Sequence, residues 1–374
     1  MEKKALYAFS GDPITYGHIN IIARAARVFS TLYVAIGQNP QKNYTFGIAE
    51  RTLMAQKVLA HLDNVIVVSF TGLLVDFAYE QGIHVIIKGV RNSTDFEYEH
   101  VLHQVGESQK VGVDTYVLFA EANLAHVSSS MVKAIQLEHG CIAEYVPPYI
   151  KQLLEQKISQ QVIIGITGEI AVGKSFLCNK LQEIGAKLKQ QVHHIELDHL
   201  AHDILQKLVE PIHIATRDKI ATTFGATVMN NAGFINRTAL GNLVFGSAAK
   251  MQQLNNIMRQ PLLLSIKRVI YNKPGIILIN AALLAEFSMA YLSNNNVILV
   301  SSSTSLQKTR LRQRKLSSEQ ITKRLASQYT TQQKLNALQQ QIARDNYGTI
   351  WQLENNDKID LTVWFKTVLE NLPI

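Results

Sequence analysis

Apolar residues follow two different periods along this chain. Short runs rich in β-branched and aromatic residues, "ALYAF", "LYVAIG", "VIVVSF", "HVIIKG" and "TYVLFA", alternate with longer amphipathic stretches between Lys4 and Lys157. Strands buried on both faces read as near-continuous apolar runs, and strands alternating with helices predict a parallel α/β sheet. In "HINIIARAARVF", Ile19, Ile22, Ala23, Ala26 and Phe29 recur at helical spacing, and "AERTLMAQKVLAHL" predicts a second helix. "VPPYIKQLLEQKISQQ" closes this series with two prolines and a short polar helix, placing a domain boundary near Ser159. "QVIIGIT" opens a second α/β series, continued by "GIILIN" and "NVILVS". The pattern therefore divides the chain into domains at 1–158 and 159–374. The Gln-rich run from Gln332 to Gln341 keeps apolar residues at helical spacing and reads as a surface helix.

The length of 374 residues suits two cores rather than one. Hydrophobic residues make up 47% and charged residues 18%, and no apolar run reaches the ~20 residues of a membrane span. "MEKKALYAFSG" carries neither an apolar stretch of signal-peptide length nor a cleavage-like end, so the expected location is the cytoplasm. The two cysteines, Cys141 and Cys178, stand far apart and predict buried thiols rather than a disulfide framework or zinc knuckle. Charge is uneven: residues 1–160 hold 13 Lys/Arg against 15 Asp/Glu, and 161–374 hold 24 against 14. Much of the basic excess sits in "KTRLRQRK", which suits a local phosphate-binding lid as well as a polynucleotide groove.

"GEIAVGKS", Gly168 to Ser175, fits G-x-x-x-x-G-K-[ST] between an apolar strand and the helical "FLCNKLQEIG". Such a loop cradles phosphates with backbone N–H groups, extends its lysine, Lys174, to the terminal phosphates and offers the hydroxyl of Ser175 to Mg²⁺. Further on, "HHIELDHLAHDIL" sets Glu196 and Asp198 at the end of a short apolar run. Alternate strand residues share a face, so both carboxylates are expected to face the P-loop, where they could hold Mg²⁺ or accept a hydroxyl proton. His193, His194, His199 and His202 read as part of a polar loop rather than a metal site.

These features resemble dephospho-CoA kinase over roughly Val162 to Asp357. "ALLAEF" looks like the family's P-L-L-x-E element, "LQKTRLRQR" resembles its arginine lid, and "RLASQ" with "WQLENND" resembles a later helix and terminal strand. The resemblance implies ATP binding by Ala171, Val172, Gly173, Lys174, Ser175, Phe176, Arg310 and Arg314, with Asp198 and Lys174 catalytic and Ser175 on the metal. Glu196 stands for the family's first Asp, Gln260 where a His-Pro pair begins, His202 for an Arg and Glu169 for a Gly.

In the first half, Ser10-Gly11-Asp12-Pro13 and Thr15-x-Gly17-His18 put a hydroxyl, a tight turn and an imidazole at the mouth of a helix, where anions bind. "IIKGVRNSTDFEYE" adds Lys88, Arg91 and Glu99, "HVSSSMVK" adds Ser128, Ser129 and Ser130, and "NPQKNYTF" adds Lys42. From Lys4 to Lys157 this resembles the bacterial-type pantetheine-phosphate adenylyltransferases of the nucleotidyltransferase superfamily, including "FTGLLVDFA" and "DFEYE". The resemblance implies a Rossmann-like sheet followed by a P-loop kinase sheet with a helical lid. It assigns His18, Lys42 and Arg91 to catalysis, and Ser10, Lys42, Leu74 and Lys88 to the phosphopantetheine. ATP falls to Ser10, Gly11, His18, Gly89, Val90, Arg91, Glu99, Leu124, Ala125, His126, Val127 and Ser128 to Ser130. The family's G-[ST]-F-D-P is here Phe9-Ser10-Gly11-Asp12-Pro13, with Phe and Gly exchanged, Lys88 replaces an Arg, and Leu124 replaces an aromatic.

Together the halves resemble a bifunctional CoA synthase-like fusion. The expected substrates are ATP, 4′-phosphopantetheine and dephospho-CoA, with Mg²⁺ as cofactor, no nucleic-acid or membrane partner, and a possible homo-oligomer. Two other readings stand beside this one at the level of the sequence: an adenylyltransferase with a nucleotide-sensing P-loop domain, and a nucleic-acid-associated P-loop protein.

Overall fold

The computed structural model describes residues 3–39, 42–244, 247–313, 325, 328–355 and 359–372. It divides into two compact units, Met1–Leu137 with Ile142–Lys157, and Glu138–Cys141 with Ile158–Ile374. Among the described residues no helix is long and apolar enough to cross a membrane.

The first unit runs β1 (Lys4–Phe9), α1 (Tyr16–Ala26), β2 (Thr31–Ile36), α2 (Ile48–Leu59), β3 (Val65–Ser69), α3 (Leu74–Glu80), β4 (Val85–Val90), α4 (Ser93–Ser108), β5 (Asp114–Phe119), α5 (Ser129–Leu137) and α6 (Pro148–Leu154). Its five strands are parallel in the order β3-β2-β1-β4-β5. Each predicted strand is present to within a residue or so at its ends. β1 lies in the interior, so its C-terminal end meets that of β4 where the strand order reverses, the usual crevice for ligands in such sheets.

The second unit runs β6 (Gln161–Gly168), α7 (Lys174–Lys187), β7 (Val192–Glu196), α8 (Leu197–Gln206), α9 (Pro211–Phe224), α10 (Arg237–Val244), α11 (Ala248–Ile270), β8 (Gly275–Asn280), β9 (Asn296–Ser301), α12 (Thr304–Gln313), α13 (Thr331–Asp345), β10 (Thr349–Glu354) and α14 (Leu361–Glu370). Its parallel order is β10-β9-β6-β8-β7. The two-residue side-chain period divides the strands between two cores. Ile163, Ile277, Ile279 and Val297 pack with Ile204, Ile220 and Met258 on one face. Ile164, Ile166, Leu278, Ile298 and Val300 pack with Leu177, Leu181 and Phe365 on the other. The Gln-rich run forms α13, although Lys334, Leu338 and Gln341 on it are buried.

One buried cation organises the sheet end of the first unit. Arg51 on α2 is 1% exposed. It donates to the carbonyls of Ser10, Gly37 (2.8 Å) and Phe46 (3.1 Å), and its guanidinium lies 4.0 Å from the ring centre of Tyr44. These bonds fasten the turn after β1 to the segment between β2 and α2. Arg51→Met keeps the apolar stem and strands the carbonyls; at ~1.5–3 kcal/mol for a charged hydrogen bond, it should destabilise the first unit by about 3 kcal/mol. Amide hydrogen exchange in β1 and β2 measures this, and unchanged protection there would contradict the role.

Candidate active sites

In the first unit the chain leaves β1 through Ser10 and turns at Gly11, whose φ of +62° suits glycine. Asp12 accepts from the N–H groups of Thr45 and Phe46, both at 3.0 Å, and pairs with Lys133. That anchors the segment bearing Lys42, which is itself exposed. Thr15 precedes α1, and its N–H donates to Nδ1 of His18 at 3.1 Å, with its hydroxyl 2.9 Å from the same atom. Because Nδ1 accepts the backbone proton, the proton of the neutral imidazole sits on Nε2. Desolvation, reinforced by Arg91, lowers His18 from its ordinary 6.5 to about 4. The imidazole is therefore a neutral donor at physiological pH.

Several expected residues gather around it. Arg91 makes two bonds to Asp95, at 2.7 and 3.1 Å, and reaches the carbonyl of Val127 at 3.4 Å. A Cβ at Gly17 would lie 3.5 Å from the carbonyl oxygen of Val127 and 3.8 Å from that of Leu124, so the 124–127 segment borders the start of α1. Ser128 accepts from the N–H of Met131 at 3.2 Å, and Ser129 donates to the carbonyl of Pro13 at 2.8 Å. Two of the three serines thus have structural partners, which narrows the expectation that the run as a whole exists for a ligand. Ser130 and His126 are exposed, and Ala125 is half-buried. Val90 is buried, and a Cβ on Gly89 would meet Ile21 at 3.0 Å. Lys88 is paired with Glu99 at 2.7 Å, so one side chain expected at phosphopantetheine is neutralised by one expected at ATP. Leu74 packs partly against the sheet core. Arg91, Asn92, Ser93, Phe96 and Phe119 border an open hollow of about 390 Å³.

In the second unit β6 runs into Gly168, where φ is +152° and a Cβ would come 2.1 Å from the Val300 carbonyl oxygen. The loop passes through Ala171, at φ +64°, and Gly173, at φ +98°, before α7 begins at Lys174. Lys174 Nζ donates to the carbonyls of Gly168 and Glu169, both at 3.0 Å. Burial lowers its pKa to about 8 against the opposing pull of Asp198. Arg310 donates to the carbonyl of Ala171 at 3.1 Å, and Asn355 to that of Val172 at 2.7 Å. Phe176 is exposed beside them. Arg314 lies outside the described residues.

The carboxylates are not arranged as the sequence suggests. Glu196 ends β7 and caps α8, whereas Asp198 is already in the first turn of that helix. They therefore do not share a strand face; the helix begins between them. Both still border the P-loop. Ser175 Oγ hydrogen-bonds Glu196 Oε1, with Asn280 Nδ2 at 3.2 Å from that hydroxyl and 3.4 Å from that carboxylate. Asp198 opens onto the cleft, whose walls partly desolvate its carboxyl; that desolvation raises its pKa while Lys174 and Arg237 pull it down. The histidines are not in a loop: His193 and His194 lie on β7, and His199 and His202 on α8. His199 pairs with Glu196 Oε2 at 3.0 Å, and His202 with Arg237 at 3.3 Å. Cys178 is buried and pushed up to about 12 by desolvation, which leaves it an unreactive thiol.

Lys174, Ser175, Asp198, Arg237, Asn280 and Asn355 line one cleft of about 1560 Å³. Arg237, Asn280 and Asn355 were not singled out from the sequence. Asn280 had left a signal, a lone polar residue closing the apolar "GIILIN".

Comparison with known proteins finds a different family in each half of the chain. The dephospho-CoA kinase family matches residues 162–350, and the cytidylyltransferase-like family matches residues 10–135. The phosphopantetheine adenylyltransferase of Proteus mirabilis is 38% identical over 161 residues, 43% of this chain and 100% of that protein. That of Geotalea daltonii is 40% identical over 158 residues, 42% of this chain and 98% of that protein. A solved dephospho-CoA kinase from Campylobacter jejuni is 19% identical with a TM-score of 0.31, covering 56% of this chain and 97% of its own. The chain belongs to the phosphopantetheine adenylyltransferases through its N-terminal half and to the dephospho-CoA kinase family through its C-terminal half.

Proposed function

We propose that this protein makes CoA from 4′-phosphopantetheine in two ATP-dependent steps. The first half transfers an adenylyl group to phosphopantetheine, giving dephospho-CoA and pyrophosphate; the second phosphorylates the 3′-hydroxyl of dephospho-CoA. The observation that carries the reading is the pairing itself, since one half belongs to the family that makes the acceptor of the other. Family membership favours neither a nucleotide sensor nor a nucleic-acid-associated protein.

In the first step the substrate phosphate attacks the α-phosphate of ATP. His18 donates through Nε2–H to the charge that builds up there, worth about 10²–10³ in rate for one well-placed donor. Lys42 and Lys88 hold the phosphopantetheine phosphate, and ATP lies along Ser10, Gly89 to Arg91, Glu99 and the 124–130 segment. For Lys88 to act so, the substrate phosphate must compete with Glu99.

In the second step Lys174 and the backbone of the 168–175 loop hold the ATP phosphates, and Arg310 approaches from the lid. Asp198 orients the 3′-hydroxyl and takes its proton. The oxygen donors Ser175 and Glu196, already in contact, fit a hard divalent cation such as Mg²⁺. When bound, that ion neutralises charge on the phosphate oxygens. Glu196 is then a metal-side carboxylate and Asp198 the base.

Incubation with phosphopantetheine, ATP and Mg²⁺, followed by separation of dephospho-CoA from CoA, tests both steps. Lys174→Ala should abolish CoA formation while dephospho-CoA still accumulates; wild-type protein that binds ATP but never forms CoA would sink the kinase assignment. Asp198→Asn should lower kcat of the second step by ~10²-fold or more, the scale of general-base loss, with dephospho-CoA still bound. An active Asp198→Asn enzyme would remove that role. Because burial holds Lys174 near 8, kcat/KM for ATP in the second step should decline above about pH 8 as the free enzyme loses that charge.

His18 gives a stability prediction of definite sign. Between about pH 6.5 and 4 the unfolded chain binds a proton that the folded imidazole refuses, so the first unit loses stability as pH falls through that window. His18→Gln should flatten this part of the profile, measured by denaturant midpoints across the range. An unchanged slope would mean that another group titrates there.

A further inference from the structure

The end of β1 carries Phe9 where the adenylyltransferase pattern has Gly, and the turn carries Gly11 where that pattern has Phe. The structure shows where the displaced ring goes. Phe9 stacks on the imidazole of His18, with centroids 4.6 Å apart and planes inclined by 29°. The ring of Tyr7 also lies against it, with centroids 5.3 Å apart. A Cβ at position 11 would lie 3.1 Å from Cε2 of Phe9 and 3.4 Å from its Cζ. The ring of residue 9 therefore fills the space into which a side chain at residue 11 would project, and the left-handed Gly11 leaves that space open.

Thr15 fixes one point of the imidazole, Nδ1. A single fixed atom still lets the ring tilt about it, and a tilt swings Nε2 away from a phosphate by a distance that matters for transfer. A stacked ring removes that freedom, because aromatic contacts favour defined interplanar geometry. We infer that Phe9 is the positioning residue of the adenylyl-transfer centre: its ring and the Thr15 bonds together hold the imidazole of His18 in one plane with Nε2–H directed to the reacting phosphate. The ring of Phe9 has no polar atom to offer a reactant. It acts through His18, so the inference rests on the donor role proposed for that residue. The same ring covers one face of the imidazole, in keeping with its neutral state.

Three variants test this. Phe9→Leu and Phe9→Met keep apolar bulk but lose the stack; Phe9→Tyr keeps it. Pyrophosphate release should fall about tenfold or more in kcat for Leu and Met with little change in KM for ATP, and stay within about twofold of wild type for Tyr. Followed by NMR, the His18 titration should move up toward 6.5 in the Leu and Met variants and remain low in Tyr. CoA formation from supplied dephospho-CoA should be unchanged in all three and reports on the second unit alone, while an unchanged KM for ATP in pyrophosphate release reports that the first unit is folded. Unaltered kcat and titration in Leu and Met, or equal losses in all three, would overturn the inference. His18→Gln separates the two claims: if it turns over normally the donor role fails, whereas its loss beside a fully active Phe9→Leu enzyme defeats the positioning role alone.

Discussion

In both halves the strand that opens the unit is interior to its sheet, and the residues proposed for the chemistry gather where that strand ends. β1 lies between β2 and β4, and β6 between β8 and β9. The backbone leaving such a strand cannot continue the ladder, so its amides face a crevice and call for an anion or a turn. Ser10 to His18 and Gly168 to Ser175 are the two answers. Arg51 shows what maintaining one of them requires: a buried guanidinium whose donors go to main-chain carbonyls, including those that frame the turn after β1. In the second unit the tight fit falls on glycine, since any side chain at Gly168 would collide with the neighbouring strand.

The two sites hold charge in different ways. Around the first, each of three cations is matched by a carboxylate: Lys88 by Glu99, Arg91 by Asp95 and Lys133 by Asp12. An anion drawn to any of these three cations would have to displace its acid. In the second, Lys174 is held by main-chain carbonyls of its own loop, and burial weakens its hold on its proton. This difference agrees with the charge of the halves, one slightly acidic and the other strongly basic.

The strands were legible because parallel strands buried on both faces are written as unbroken apolar runs, and the P-loop because strand, glycine turn and helix are contiguous. What escaped depended on contacts distant in sequence or on where one element gives way to another. Glu196 and Asp198 have strand-like spacing, but Glu196 caps a helix and Asp198 belongs to it. The histidine-rich stretch looked loop-like by polarity alone, yet its residues belong to β7 and to α8. Asn280, Arg237 and Asn355 are single polar residues far apart in the chain, and only the fold brings them to one cleft. Phe9 was visible as an exchange with Gly11 but not as a stacking partner, because that relation exists only across the turn.

The reactions proposed for the two halves also differ in what a nucleophile needs, and the sites differ accordingly. A phosphate monoester is already ionised at neutral pH, so adenylyl transfer requires a donor for the developing charge and no base. Beside His18, Asp12 and Asp95 are committed to cations and main-chain amides, and Glu99 to Lys88. An alcohol must give up its proton as the phosphoryl group moves, so the second site needs a carboxylate within reach of the acceptor. Asp198 faces the cleft with its pKa raised by burial, which strengthens it as a proton acceptor, while Lys174 and Arg237 restrain the rise and favour the ionised form that can act. The neutral imidazole of one half and the cleft-facing carboxylate of the other are thus opposite solutions because the incoming oxygen is charged in one reaction and neutral in the other.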